Sequence, residues 1–234
     1  MGDLPRSSQG SPSSPSIPVT VPRELEADRT IYLARLAPLI EQGALPPDTL
    51  AQLDRYALLL YERIPALGLI SKNDRGTLYT RHILDSLNPL SLFPSPPECS
   101  LDIGSGGGLP GIPLAIVWPG ARVVLLEARE KKAGFLERTL RMLHLRNVRV
   151  ACQRLEEHAR KGLPVYDALF IRAVAEVPRL IEEMAPSCRP GATWTYFAGG
   201  GIDREKLAAD LAVTGRTGTE LVGQFGGRLL HGSV

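Results

Sequence analysis

The residues of this chain best placed to do chemistry are a run of glycines and two acids. Leu101-Asp102-Ile103 leads into Gly104-Ser105-Gly106-Gly107-Gly108, and Leu109-Pro110-Gly111-Ile112-Pro113 follows. An apolar strand that opens into a glycine loop and then a helix puts backbone amides at the carboxyl end of a strand, where ligands bind in open α/β sheets. Glycines there allow positive φ and close approach of a ligand. The pattern is Asp-x-Gly-x-Gly-x-Gly, with Leu109 where a dinucleotide fingerprint has its third glycine. No Gly-Lys-Ser/Thr follows, so this is not a triphosphate loop.

An acid two residues before the first glycine suits a ligand with a positive end. Glu127 closes the next apolar run, Arg122–Leu126, where a carboxylate can accept hydrogen bonds from both hydroxyls of a ribose. A nucleoside with a cationic end and no phosphate is S-adenosylmethionine. Asp102, Gly104, Gly106, Gly108, Leu109 and Glu127 are therefore expected to hold that cofactor.

Other chemistry is thinly represented. Cys99, Cys152 and Cys188 form no CxxC pair, and His82 with Asp85 supplies only two ligands, so no metal site is expected. After the fourth expected strand the chain reads Ile171-Arg172-Ala173-Val174, where methyltransferases that act on exocyclic amines carry Asp/Asn-Pro-Pro-Tyr/Phe. No catalytic acid or base is assigned.

The elements that must position these groups fall into two rhythms. Residues 1–22 are rich in Ser and Pro and are expected to be a disordered tail. Residues 23–97 read as a helical extension. One helix covers Glu24 to Glu41 with Leu25, Ile31, Leu36 and Leu39 inward. A second opens at Pro47-Asp48 and buries Leu50, Leu53, Ala57, Leu60 and Ile64. A third spans about Tyr79 to Leu90, after a polar loop from Ser71 to Gly76. From residue 98 to 234, apolar runs at Ser100–Ile103, Arg122–Leu126, Val148–Cys152, Asp167–Ile171 and Thr193–Phe197 alternate with helical segments such as Lys131–Leu143. That alternation predicts a doubly wound, mostly parallel α/β sheet covered on both faces. The chain ends soon after Arg228-Leu-Leu-His231, which leaves little for a last strand.

An apolar fraction of 44% and a charged fraction of 22% are those of a soluble globular protein. The most apolar stretch, Leu109 to Leu126, is broken by Pro110, Pro113, Pro119 and Arg122, so no membrane span is expected and the protein is placed in the cytoplasm. A net charge of +2 does not by itself mark a nucleic-acid binder, but Arg129–Lys161 carries ten Arg or Lys against four Glu. This run reads either as a solvated basic helix face or as a surface that meets phosphate.

Four stretches give the chain a resemblance: Arg81-His-Ile-Leu-Asp-Ser86; Asp102 through Pro113; Lys131-Lys132 with Phe135-Leu136; and Arg154-Leu-Glu-Glu157 with Ile171-Arg172-Ala173. In this order and spacing they resemble the glucose-inhibited division protein B family, bacterial methyltransferases that modify guanine N7 in small-subunit (16S) ribosomal RNA. The resemblance implies the class I S-adenosylmethionine-dependent methyltransferase fold, with small-subunit ribosomal RNA or the ribosomal subunit as partner; a monomer is expected. It also implies cofactor contacts at Gly104, Leu109, Glu127, Leu155, Glu156 and Arg172, with Leu155 and Glu156 near the adenine. His82 and Asp85 would border the cleft. The chain departs from the family in having Gly68-Leu69-Ile70 for Asn-Leu-Thr, and Ala198-Gly199-Gly200 where Lys-Gly commonly follows the fifth strand. Two alternatives stay open: a divergent cofactor-binding module that has lost RNA activity, and a small-molecule methyltransferase.

Overall fold

A computed structural model describes residues 20–160, 165–174, 176–199 and 203–234. The Ser/Pro-rich tail through residue 19, Lys161 at the end of the basic run and Gly200 of the Ala-Gly-Gly departure lie outside the described residues.

Seven strands form one sheet: β1 (Cys99–Ile103), β2 (Arg122–Leu126), β3 (Val148–Ala151), β4 (Tyr166–Arg172), β5 (Cys188–Phe197), β6 (Thr219–Val222) and β7 (Arg228–Ser233). Their order is β3-β2-β1-β4-β5-β7-β6. The first five run parallel, and β7 inserts antiparallel between β5 and β6. The chain reverses at β1, so the crevice lies at the carboxyl ends of β1 and β4. The short C-terminal segment does make a last strand, contrary to expectation. Leu229 and Leu230 of β7 are buried on opposite faces, and β7 pairs with β5 from Thr193↔Ser233 to Phe197↔Leu229. Alternation over a few residues suffices once a partner strand is present.

Side chains of successive strand residues point to opposite faces and build two cores. Leu101, Ile103, Val124, Leu126, Leu169 and Ile171 pack beneath α5 (Leu155–Ala159), α6 (Val177–Met184) and α7 (Arg204–Val213). On the other face Val123, Leu125, Ala168 and Phe170 meet α3 (Gly111–Val117) and α4 (Glu130–Met142). The N-terminal helices α1 (Glu26–Glu41) and α2 (Thr49–Leu67) add Leu36, Leu53, Tyr56 and Leu60 to that same core. The change of rhythm near residue 97 therefore does not interrupt the apolar packing.

Two expectations for the extension need correction. Ile31 is 55% exposed, and the buried stripe of α1 runs through Leu25, Asp28, Tyr32 and Leu36. Asp28 turns inward because its carboxylate accepts from the amides of Tyr79 (2.7 Å) and Thr80 (3.3 Å), which rotates Ile31 to solvent. The third helix is not an α-helix. Leu78–Leu84 is a π-helical segment and Asp85–Ser91 a 3₁₀ segment. Pro89 has no N–H to return to the carbonyl of Asp85, and the Asn88 side chain takes that carbonyl instead at 2.9 Å.

Asn88 is wholly buried and ties the chain's two ends together. Its Nδ2 also donates to Asp85 Oδ1 (2.8 Å), and its Oδ1 accepts from the Phe225 amide (2.9 Å). A Cβ on Gly227 would overlap Asn88 Nδ2 and Asp85 Oδ1, so the β6–β7 turn needs glycine there. Asn88→Ala leaves the Phe225 amide and the Asp85 carbonyl unpaired, which should cost about 2–3 kcal/mol of stability. Urea melts measure this, and a loss below about 0.5 kcal/mol would show that the turn docks without Asn88.

At the end of β1, Asp102 is 0% exposed, and its Oδ2 accepts from the Gly111 amide at 3.1 Å, while Oδ1 has no partner. Burial raises its pKa from 3.8 to about 7, against the opposing Gly111 hydrogen bond. A carboxyl raised on folding favours the folded state in its protonated form. Its contribution is complete below about pH 4 and is lost as pH rises through about 7. Wild type should accordingly lose thermal stability relative to Asp102→Asn as pH rises across that window. A melting-temperature difference that stays constant over the window would refute the assignment.

Candidate functional site

The Gly104–Gly108 loop is fixed from three sides. The amides of Gly104 (2.9 Å) and Ser105 (3.0 Å) both donate to the carbonyl of Leu126, which ties the loop to the end of β2. From the extension, the buried Tyr56 hydroxyl donates to the Gly107 carbonyl at 2.8 Å. A Cβ on Gly107 would stand 2.8 Å from the Leu60 side-chain tip and 3.3 Å from Leu69, so α2 presses directly on the loop and a larger residue there would displace Leu60. Glu127 supplies the third tie. Its Oε2 accepts from the Gly106 amide at 2.9 Å and its Oε1 from the Arg129 amide at 2.8 Å.

The predicted cofactor residues are thus brought together at the ends of β1 and β2, in different orientations. Gly104, Gly106 and Gly108 all have positive φ, at 73°, 55° and 95°. A Cβ on Gly106 would meet nothing nearer than the Gly104 carbonyl, at 3.8 Å. Leu109 is buried as part of the core that α2, α3 and α4 share. Asp102 lies beneath the loop and presents no surface. Glu127 has a carboxylate with about four lone-pair positions and spends two on amides, leaving two for hydroxyl donors. Leu155 and Glu156 open α5 just past β3. Leu155 packs on the core, and Glu156 is exposed and accepts from Arg179 at 2.8 Å. Because a nucleoside needs close backbone approach and a hydroxyl acceptor, this donor set fits S-adenosylmethionine.

Arg172 stands apart from that group. Its guanidinium is partly buried and faces the extension, where it donates to Ser86 Oγ (3.0 Å), to the carbonyls of Arg81 (3.1 Å) and His82 (3.4 Å), and to His82 Nδ1 (3.3 Å). Asp85 Oδ2 lies 3.0 Å away as its counter-charge. Both terminal nitrogens of the fork are occupied within the protein. His82 must accept from Arg172, so its proton belongs on Nε2, which lies 3.4 Å from Asp74 Oδ2. Burial, and then the nearby Arg172 charge, lower the His82 pKa to about 4, so it is neutral at physiological pH.

Next to this network an open cavity of about 580 Å³ lies over the carboxyl ends of β4 and β5, with Asp85, Arg172, Tyr196, Phe225 and Arg228 among its walls. Ala198 and Gly199 stand at its rim, and the Ala198 amide donates to the Arg228 carbonyl at 3.0 Å. Immediately beyond Arg172, Ala173 takes a positive φ of 53°, and a Cβ on Gly104 would stand 3.0 Å from Val174. The β4 end therefore touches the glycine loop on one side and the cavity on the other. Among the described residues no cluster of His, Cys, Asp and Glu could hold a metal ion, and no helix is long and apolar enough to cross a membrane.

Tyr56, Ser86 and Asn88 were not singled out from sequence. Tyr56 gives no local signal, because its partner is 51 residues away. Ser86 lies within the Arg81–Ser86 stretch, where its pairing with Arg172 is the physical content of the motif.

Comparison with known proteins agrees with this geometry. The solved precorrin-6y C5,15-methyltransferase of Geobacter metallireducens superposes with a TM-score of 0.52 at 16% identity, over 64% of this chain and 87% of that one, which speaks to the fold alone. The ribosomal RNA small subunit methyltransferase G of Roseiflexus castenholzii is 37% identical over 174 residues, 74% of each chain. That of Carboxydothermus hydrogenoformans is 37% identical over 161 residues, 68% of each. The family model for GidB, rRNA small subunit methyltransferase G, matches residues 49–220, which takes in α2, the glycine loop, Glu127 and the Arg172 network. With that span matched, and relatives above one-third identity over more than two thirds of their length, the chain belongs to the GidB family of S-adenosylmethionine-dependent rRNA small subunit methyltransferases.

Proposed function

We propose that this chain transfers a methyl group from S-adenosylmethionine to N7 of a guanine in small-subunit ribosomal RNA, as a monomer in the cytoplasm. The observation that carries the cofactor site is Glu127 holding the Gly106 amide at 2.9 Å with lone pairs to spare for a ribose. When bound, the cofactor supplies an electrophilic methyl on a sulfonium. Guanine N7 has a lone pair and no proton, so the protein needs no general base. Its tasks are to hold, orient and exclude water, and orientation dominates the rate enhancement.

The residues divide those tasks. Glu127 fixes the ribose end, the Gly104–Gly108 backbone lets the ligand approach, and Leu155 with Glu156 borders the adenine. Asp102 acts from beneath the loop: a cationic ligand overhead favours its ionised form and lowers its pKa. Arg172 holds the Arg81–Ser86 turn in place beside the acceptor cavity rather than touching the cofactor.

Two outcomes test this reading. Gly106→Val forces a β-branched side chain into a positive-φ position and into the open space over the loop. Calorimetry should show S-adenosylhomocysteine binding abolished, with the circular dichroism spectrum retained. A wild-type chain that binds NAD and neither form of the cofactor would sink the cofactor assignment.

The product itself is the second test. N7 methylation puts a fixed positive charge on guanine and weakens its glycosidic bond, so borohydride followed by aniline cleaves the RNA there. Cleavage in small-subunit ribosomal RNA should vanish in a strain lacking this protein and return when the chain is supplied. Persistent cleavage in the deletion strain, or failed complementation by a chain that still binds cofactor, would remove the guanine assignment.

A further inference from the structure

The sequence left the basic run open between a solvated helix face and a phosphate-binding surface, and its three-dimensional placement separates the two. On α4, Ala133, Leu136 and Leu140 are buried against the core, while Lys131, Arg138 and Arg141 are exposed. The three recur at i, i+7 and i+10, which is one stripe of an α-helix, with Lys131 and Arg141 about 15 Å apart along the axis. Exposed Arg129 precedes the helix and exposed Arg146 follows it, so the stripe continues past both ends.

Pairing decides the reading. Among the described residues, none of Arg129, Lys131, Arg138, Arg141 and Arg146 makes an ion pair. Away from this helix Arg122, Arg179 and Arg189 each bind a carboxylate, at 2.8 Å, 2.8 Å and 2.6 Å. The acids on the outer side of α4, Glu130 and Glu137, are also exposed, and neither closes on a neighbouring cation. An ordinary solvated helix mixes its signs and pairs them. With its flanks this face carries five exposed cations against two exposed acids, a net positive surface of the kind that meets a polyanion. It also starts at the site, since the Arg129 amide donates to Glu127 Oε1 at 2.8 Å.

We infer that the outer face of α4 holds the phosphate backbone of the RNA substrate. Lys131, Arg138 and Arg141, flanked by Arg129 and Arg146, neutralise phosphates without reading sequence, and the base is presented at the carboxyl ends of the strands. The inference rests on the ribosomal RNA reading above and adds the surface that takes the RNA.

The test is binding of an in vitro transcript of small-subunit ribosomal RNA, followed by anisotropy over a salt series, with no methyl transfer required. For Arg138→Gln combined with Arg141→Gln, affinity at low salt should fall about tenfold or more, and the slope of log K against log salt should shrink by about 1.5. S-adenosylhomocysteine affinity, read by calorimetry, should not change. Arg189→Gln, which removes a half-buried, paired arginine at the start of β5, should leave RNA affinity as in the wild type. Unchanged slope and affinity in the double variant would return α4 to the solvated class. An equal loss in Arg189→Gln would reduce the effect to net charge and overturn the inference, as would a wild-type chain whose binding ignores salt. If the double variant loses RNA while the wild type makes no N7-methylguanosine, the surface stands and the guanine assignment falls.

Discussion

A guanidinium withdrawn from most of its water at the end of a strand needs acceptors in return, and around Arg172 five of them come from the single stretch Arg81–Ser86. Leaving such a charge unsatisfied costs several kcal/mol. Two stretches that look unrelated along the chain are therefore halves of one interaction. Asp85 supplies charge, Ser86 a hydroxyl, and the wide π-turn directs carbonyls toward the strand. Once this contact forms, the extension is locked over the carboxyl edge of the sheet, His82 is held neutral, and one wall of the cavity is set.

Much of the architecture is legible in local pattern. Arg122–Leu126 is a strand with the predicted bounds, and α4 begins and ends within one residue of its expected limits. These segments advertise themselves because their apolar residues recur at the period of the element they form. What local pattern cannot report is a partner far along the chain. Ile31 looks as apolar as Tyr32, yet Asp28 decides between them by binding amides some 52 residues away. Arg172 reads as a free fork at the mouth of a cleft until Asp85 is brought beside it. Asp102 reads as a ligand contact by its spacing from the glycines, and only the strand's pleat shows that it faces the interior. The last strand was discounted for its brevity, although pairing with β5 and β6 makes six residues sufficient.

The extension, for its part, is more than an appendage to a catalytic unit. Tyr56, Leu60 and Leu69 back the glycine loop, and Leu36 and Leu53 share a core with β2 and β4. The apolar face of a sheet needs cover, and here two helices from ahead of the first strand provide part of it. The loop is consequently held in shape from the side of the extension. Such preorganisation lowers the entropic cost of binding.

The contact between Asn88 and Phe225 spans 137 residues, and this has a kinetic meaning. Sequence-distant contacts close large loops before they return energy, so chains rich in them fold slowly. During synthesis the helical extension emerges early, but the turn that Asn88 anchors exists only after residue 227 has been made. The other contacts of the extension close sooner, since α1 and α2 pack on elements no later than α4, and β1 to β5 pair among themselves, so it is the free edge of β5 that waits for β7. An unpaired strand edge in a nascent chain is a template for wrong pairing, and the strand order confines that exposure to β5 until β7 is made.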